Sequence, residues 1–119
     1  SITASFGYRK NPFTSRGSEF HKGIDFAASY GQTVSATGDG IVSFAGWNAG
    51  YGRMVIISHG YGLTTLYAHN SKLLVKQGDK VKKGQAIAKV GNTGRSTGTH
   101  LHYEVKLNGK NVNPANYFN

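Results

Sequence analysis

The chain has 119 residues, including 17 glycines and no cysteine, and 14 Lys and Arg against five Asp and Glu give a formal net charge of +9. This length fits one domain with a modest core, and the lack of cysteine excludes disulfides, cysteine zinc sites, iron–sulfur clusters and thiol nucleophiles. The longest apolar run is the four residues from Met54 to Ile57, which excludes a transmembrane helix.

Alternating apolar and polar residues separated by glycine-rich turns predict β-structure along the chain. We expect strands, in chain order, at 40–47, 53–58, 63–68, 73–75, 85–90 and 100–107. The turns between them lie at 59–62, 77–79 and 91–94, and Asn108-Gly109 is a hairpin signal. No segment of ten residues has a helical apolar stripe. The pattern predicts an all-β, Gly-rich antiparallel sandwich or barrel-like domain with little or no helix.

The positive charge suggests a polyanionic partner such as nucleic acid, anionic lipid or an acidic cell wall. Six lysines are concentrated in one stretch: Lys72, Lys76, Lys80, Lys82, Lys83 and Lys89. Nucleic-acid modules combine such charge with exposed aromatic residues or a recognition helix, and this stretch has neither. A solvated strand edge explains the lysines equally simply.

Two of the five histidines stand at alternate positions of the last long strand. On this strand His100, His102 and Glu104 point to one face, and the residues between them, including Leu101 and Tyr103, point to the other. The second face is apolar and therefore faces the core. The first face places two imidazoles side by side on a surface or cleft, although an isolated His-x-His pair is a weak signal on its own.

A second pair of candidate ligands, His21 and Asp25, flanks a glycine. An extended step of four residues spans about 13 Å, too far for two short side chains to share an ion, but Gly23 permits a bend. His21, Asp25 and one of His100 and His102 then form a two-histidine, one-carboxylate set. Three protein ligands with an open position are typical of catalytic zinc, and the same set also suits non-haem iron.

A hydrolase built on these residues needs a histidine as general base. The His-Glu-x-x-His motif of many zinc peptidases is absent, whereas His69 and the unligated member of His100 and His102 are available. Tyr67 precedes His69 by two residues, which makes both candidates to face a groove, although core packing or cross-strand stacking is the commoner role for such a tyrosine. We expect His59 to have a structural role. Glu104 either orients a metal ligand or pairs with a nearby lysine.

Three motifs together resemble the signatures of the lysostaphin/LytM-type zinc metallopeptidases. They are FHKGIDF at 20–26, LYAH at 66–69 and GTHLHYE at 98–104. The resemblance implies a β-rich fold around a groove, one Zn²⁺ per chain held by His21, Asp25 and His102, and catalysis by His69 and His100. It also implies that the substrates are peptide cross-links of bacterial peptidoglycan.

The resemblance carries further expectations. Residues 1–119 are expected to form a single catalytic domain excised from a longer protein of the bacterial cell envelope, in the periplasm or at the cell surface. We expect a monomer whose partners are peptidoglycan peptides and anionic cell-wall polymers, with no nucleic acid and no membrane span.

The bond that is cleaved is less well defined. Segment 11–18 resembles family members that act on direct D-amino-acid links, which favours a D,D-endopeptidase over cleavage of Gly-Gly bridges. Two other classes stay open. One is a non-catalytic envelope regulator that activates another hydrolase, and the other is a carrier, either a biotinyl or lipoyl domain or a phosphotransferase IIA domain.

Overall fold

Twelve β-strands are found in the computed structural model, which describes residues 2–4, 7–10, 18–21, 23–94 and 98–114, with the backbone alone up to residue 21. They are β1 Ile2–Ala4, β2 Gly7–Lys10, β3 Ser18–His21, β4 Ile24–Ala27, β5 Thr33–Ser35, β6 Gly40–Asn48, β7 Gly52–Gly60, β8 Leu63–Leu73, β9 Lys80–Val81, β10 Ala86–Val90, β11 His100–Leu107 and β12 Lys110–Val112. Within these described ranges no helix is long and apolar enough to cross a membrane.

Ten of these strands form one antiparallel sheet. Its main path has the order β1-β4-β11-β8-β7-β6-β9, while β10 pairs with β8 and β5, and β12 pairs with β11; β2 and β3 form a separate hairpin. The long strands β7, β8 and β11 lie at the centre of the path. The prediction of an all-β antiparallel domain is confirmed.

Strand β11 and the hairpin turns follow the prediction closely. β11 has the predicted bounds, and the turn residues Tyr61-Gly62 and Asn108-Gly109 all have positive φ, as two-residue hairpin turns require. β8 differs from the prediction. It continues without a break to Leu73, whereas a strand ending at residue 68 and a second strand at 73–75 were expected. The interpretation failed because an irregularity inside β8 interrupts its alternation.

Two apolar clusters lie on opposite faces of the central strands. The larger core contains side chains from β5 to β11, among them Val55, Tyr67, Ile87 and Tyr103. The smaller cluster is formed by Met54, Leu66 and Ala68, with Phe44, Tyr51 and Ile56 packed against it. Residues that alternate along β8 therefore contribute to both clusters, and the face with the smaller cluster also holds the histidines described next.

Candidate active site

The strands beside β11 determine what its polar face meets. β4 pairs with one edge of β11 and β8 with the other. In this register His102 lies directly opposite Asp25 on β4 and opposite Ala68 on β8. Directly opposed residues of an antiparallel pair share a face, with Cβ atoms about 5 Å apart. The register therefore brings together the Asp25 carboxylate and the His102 imidazole, 77 positions apart in the chain.

The chain bends at Gly23, as the sequence predicts, between the end of β3 and the start of β4 at Ile24. A Cβ atom at Gly23 would overlap the carbonyl oxygen of Tyr103 and lie 2.8 Å from Cγ of Glu104. Glycine thus permits both the bend and the close approach of this segment to β11.

Asp25, His102 and Glu104 form a continuous hydrogen-bonded row. Nδ1 of His102 lies 2.7 Å from Oδ1 of Asp25, and Nε2 of the same ring lies 2.8 Å from Oε2 of Glu104. Glu104 is 1% exposed. Its carboxylate also accepts hydrogen bonds from the Tyr51 hydroxyl at 2.7 Å and from the Asn111 amide at 2.9 Å.

The electrostatics of the row follow from these contacts. Burial by itself lowers the pKa of His102, but its hydrogen bonds to Asp25 and Glu104 outweigh burial and raise that pKa to about 9. Burial likewise raises the pKa of Glu104, but hydrogen bonds from His102, Tyr51 and Asn111 outweigh it and lower that pKa to about 2. The two flanking carboxylates therefore favour the protonated form of His102.

His69 reaches the same face through a bulge in β8. From Tyr67 to Asn70 this strand advances three residues while its partner β7 advances two. His69, within that stretch, has a φ of 65° and donates its backbone N–H to the carbonyl of Tyr51 at 2.8 Å. A left-handed conformation at a non-glycine residue costs about 1–3 kcal/mol and is typical of functional sites. Bulges commonly redirect a side chain in this way.

The bulge places the side chains of His69 and Tyr67 on opposite faces of the sheet. Tyr67 lies in the larger core and Ala68 in the smaller cluster, so a regular strand would return His69 to the core side. Instead the His69 ring centroid lies 5.4 Å from that of His100 and 5.9 Å from that of His102. Tyr67 therefore has the commoner role, core packing, and the alternative that it faces a groove together with His69 is wrong because of the bulge.

Backbone carbonyls fix the tautomers of His69 and His100. Nδ1 of His69 lies 2.7 Å from the carbonyl oxygen of Thr93, and Nδ1 of His100 lies 3.0 Å from that of Gly98. A carbonyl oxygen can only accept, so each ring has its proton on Nδ1 and, when neutral, a lone pair on Nε2. Burial lowers the pKa of His69, and the neighbouring charges of His102 and His100 add to this effect.

Four of the five predicted site residues have described side chains, and all four converge: Asp25, His69, His100 and His102. Side chains of Asp25 and His100 are 17% and 20% exposed, so solvent reaches the cluster. The backbone of His21 ends β3, but its side chain lies outside the described part. Among the described side chains no group of three His, Asp or Glu residues is arranged to hold a metal ion. The ligand set of His21, Asp25 and His102 therefore stays a prediction. Segments 11–17 and 95–97 lie outside the described residues, so the expectation drawn from segment 11–18 about the bond cleaved also stays a prediction.

The sequence does not reveal the residues that hold Glu104 and His69 in place. Tyr51 and Asn111 bind Glu104, and Thr93 binds His69, yet none of the three lies in a motif that indicates chemistry. Tyr51 and Thr93 lie between strands, where only the tertiary structure gives them partners.

A second feature, an apolar cavity of about 290 Å³, lies on the opposite face of β11. Phe26, Leu101 and Tyr103 contribute to its lining, together with Tyr67 and Thr37. The two tyrosine hydroxyls bond to Oγ1 of Thr37 at 2.9 and 2.8 Å, so their polar groups are already satisfied within the protein. The histidine cluster is therefore the stronger candidate for chemistry.

His59 belongs to the same buried hydroxyl network rather than to the cluster. Its Nδ1 lies 2.7 Å from the carbonyl oxygen of Asp39, which fixes the ring proton there. Its Nε2 lies 2.7 Å from Oγ1 of Thr65, which in turn contacts the Tyr67 hydroxyl at 2.8 Å. The structural role predicted for His59 is confirmed.

Comparison with known proteins identifies the family. The model of peptidase family M23 matches residues 19–114. The DD-carboxypeptidase/endopeptidase Mpg of Neisseria meningitidis serogroup B is 48% identical over 114 residues, which cover 96% of this chain and 26% of that protein. The murein hydrolase activator NlpD of Escherichia coli K12 is 50% identical over 99 residues, which cover 82% and 26%. The chain spans about a quarter of the length of these curated relatives.

Solved structures agree with this match. A zinc containing peptidase from Vibrio cholerae superimposes with a TM-score of 0.87 at 43% identity, covering 95% of this chain and 35% of the other. The catalytic domain of the antimicrobial peptidase lysostaphin from Staphylococcus simulans superimposes with a TM-score of 0.86 at 31% identity, covering 98% and 90%. The resemblance to the lysostaphin/LytM-type peptidases is confirmed.

Proposed function

Because the chain belongs to peptidase family M23, we propose that it is a zinc-dependent endopeptidase that hydrolyses peptide cross-links of bacterial peptidoglycan. The observation that carries the proposal is the convergence of Asp25, His69, His100 and His102, from the neighbouring strands β4, β8 and β11, on one face of the sheet. A carboxylate and an imidazole placed beside two further imidazoles supply both metal donors and proton-transfer groups.

The types of donor present suit zinc, because zinc accepts both carboxylate oxygen and imidazole nitrogen. Oδ1 of Asp25 and Nδ1 of His102 are hydrogen-bonded to each other at 2.7 Å, and the proton between them would have to leave before a metal bound. Glu104 occupies Nε2 of His102, which leaves Nδ1 as the ring atom for a metal. His21 would be the third ligand, as its motif implies. Zn²⁺ held by these residues would polarise the scissile carbonyl and lower the pKa of the attacking water.

His69 acts as the general base in this proposal. The hydrogen bond from Nδ1–H to the Thr93 carbonyl keeps the lone pair on Nε2, where it can accept the proton of the attacking water. The same proton is then donated to the nitrogen of the leaving amine. The hydrogen bond to Thr93 and the burial of His69 limit the movement of its ring, which suits a base that must meet the water in a fixed position.

His100 stabilises the oxyanion of the tetrahedral intermediate. Its Nδ1–H is bound to the Gly98 carbonyl, so the ring faces the site with Nε2. A protonated Nε2 donates to the developing negative oxygen. Oδ1 of Asp25 lies 3.7 Å from that nitrogen.

Two features support the substrate and the location. The name of the relative Mpg favours a D,D-endopeptidase, with Gly-Gly cleavage as the alternative, and both relatives' names point to the cell envelope of bacteria. The chain's net charge of +9 would favour binding to anionic cell-wall polymers. The exposed Lys80, Lys82 and Lys83 lie at or just after β9, at the far end of the strand order from β4, so they would hold polymer away from the site.

Incubation with purified sacculi tests the proposal. Sacculi with direct D-Ala to diaminopimelate links and sacculi with glycine bridges are digested separately, and the released muropeptides are identified by mass spectrometry. We expect cleavage of the direct links, one zinc per chain, and loss of cleavage with a chelator. Release of muropeptides from glycine-bridged sacculi alone would support zinc-dependent hydrolysis but show that the bond cleaved is Gly-Gly. Cleavage that persists in the presence of a chelator would contradict the zinc mechanism.

The second candidate is a non-catalytic activator of another cell-wall hydrolase, favoured by the 50% identity to NlpD. Such a protein releases no muropeptides by itself and increases release by an added amidase or peptidase. The carrier alternatives predict neither zinc nor hydrolysis.

A further inference from the structure

Glu104 is a buried charged group that, in the proposed mechanism, neither binds the metal nor touches the reacting atoms. It is 1% exposed, and an isolated carboxylate in such surroundings is strongly unfavourable. Three donors surround it: Tyr51 from the turn before β7, His102 from its own strand, and Asn111 from β12. Elements distant in the sequence thus all bind one carboxylate beside the site.

We propose that Glu104 is a positioning residue that holds the ring of His102 ready for the metal, an inference that rests on the proposed zinc site. Nε2–H of His102 donates to Oε2 of Glu104 at 2.8 Å, which directs Nδ1 toward Asp25. A carboxylate behind a metal-binding histidine fixes the tautomer and orientation of the ring and increases its basicity as a ligand.

Tyr51 completes the support of the His102 ring. Its hydroxyl donates to the same Oε2 atom at 2.7 Å, and its ring stacks on the imidazole with centroids 5.9 Å apart and planes inclined by 23°. The edge of the His102 ring is therefore held by Glu104 and its face by Tyr51. Asn111 binds the other carboxylate oxygen at 2.9 Å and prevents Glu104 from turning away.

Three donors around one group require a carboxylate rather than an amide. The two oxygens of Glu104 both accept, whereas the carboxamide of Gln has one accepting oxygen and an NH₂ group. In Glu104→Gln that NH₂ would face either the Asn111 amide or the His102 N–H. The substitution keeps the shape of the side chain but weakens the hydrogen bonding that orients the His102 ring.

Zinc affinity of the chelator-stripped chain is the measurement that tests this role. The parent chain, Glu104→Gln and Tyr51→Phe are titrated with Zn²⁺ against a fluorescent competing chelator. The matched control is Tyr67→Phe. It also loses a tyrosine hydroxyl from a buried hydrogen-bond network, but on the opposite face of the sheet. Co²⁺-substituted samples add a visible spectrum that reports the geometry around the metal.

We expect Glu104→Gln to weaken zinc binding about 10–100-fold, the usual effect of removing such a support. Tyr51→Phe keeps the stacked ring and should weaken binding less. Tyr67→Phe should bind zinc like the parent although it loses stability. The Co²⁺ spectrum should change in Glu104→Gln and stay unchanged in Tyr67→Phe.

The outcomes separate this inference from the proposed function. If the parent chain binds zinc and cleaves peptidoglycan while Glu104→Gln binds zinc within twofold of the parent, the positioning role is overturned and the peptidase proposal stands. If the parent binds no zinc, both are overturned. If Glu104→Gln does not fold, Tyr51→Phe and Tyr67→Phe decide: equal zinc affinities of these two variants overturn the role.

Discussion

A single methyl group added at Gly23 is expected to separate β4 from β11 at the site. The new Cβ would overlap the carbonyl oxygen of Tyr103, lie 3.0 Å from its carbonyl carbon and lie 2.8 Å from Cγ of Glu104. Carbon atoms pack at about 3.5 Å or more, so the strands would have to move apart by roughly 0.7 Å or more. This movement would occur beside the Asp25–His102 pair.

The expected cost of Gly23→Ala follows from two opposing effects. Overpacking destabilises by about 1–3 kcal/mol, and the lower entropy of the unfolded chain returns about 0.4–1 kcal/mol. For a domain of this size 1 kcal/mol corresponds to about 4 °C in melting temperature, so a net loss of about 1–2 kcal/mol lowers it by about 4–8 °C. Zinc affinity should fall as well, because Asp25 moves relative to His102.

Thermal unfolding followed by circular dichroism, with and without zinc, measures this effect. Gly50→Ala is the matched control, because its Cβ would meet only Oδ1 of Asn48 at 3.7 Å and its φ is not positive. That variant should melt at or slightly above the parent temperature. A Gly23→Ala protein that melts as high as Gly50→Ala would refute the close approach of β4 to β11.

Three further predictions concern the histidines and the metal. His102→Ala should abolish both zinc binding and hydrolysis, whereas His100→Ala should abolish hydrolysis and keep zinc, as measured by equilibrium dialysis with metal analysis; the reverse result would exchange their roles. Treatment with a chelator should stop hydrolysis, and one equivalent of Zn²⁺ should restore it; cleavage by zinc-free protein would contradict this. His69→Asn should lose activity but keep its stability within about 1 kcal/mol, because Asn tolerates positive φ, whereas His69→Val should lose about 1–3 kcal/mol more in urea unfolding. Equal stabilities of these two variants would show that the bulge imposes no strain.

The sequence predicted the elements whose signal is local. β11 has a strict alternation of apolar and polar residues and was assigned to its correct bounds, and Asn108-Gly109 marks its hairpin turn through backbone preference alone. The short strands β5 and β9 have only three and two residues. They form because a partner strand is present, so their own residues contain too little pattern to reveal them.

Features of the site that depend on pairing could not be predicted in the same way. The motifs predict Asp25 and His102 as ligands, but only the register of β4 on β11 shows that they are direct neighbours. The left-handed conformation of His69 gives no signal in the sequence, because a bulge is defined by the strand beside it. For Glu104 the sequence left two roles open, and its burial and partners decide against pairing with a surface lysine.

The backbone strain at this site helps to decide between a peptidase and an activator. Identities of 48% to Mpg and 50% to NlpD are too similar to distinguish the two. An activator that works by docking needs a surface, whereas this chain holds His69 in a conformation that costs about 1–3 kcal/mol and buries the charge of Glu104 behind His102. The backbone strain at His69 lowers stability whatever its use, and what it provides is an oriented imidazole, which is useful for proton transfer rather than for docking. A peptidase therefore explains the strained geometry better than an activator does. On this explanation His69→Gly should be more stable than the parent chain and should lose all hydrolysis.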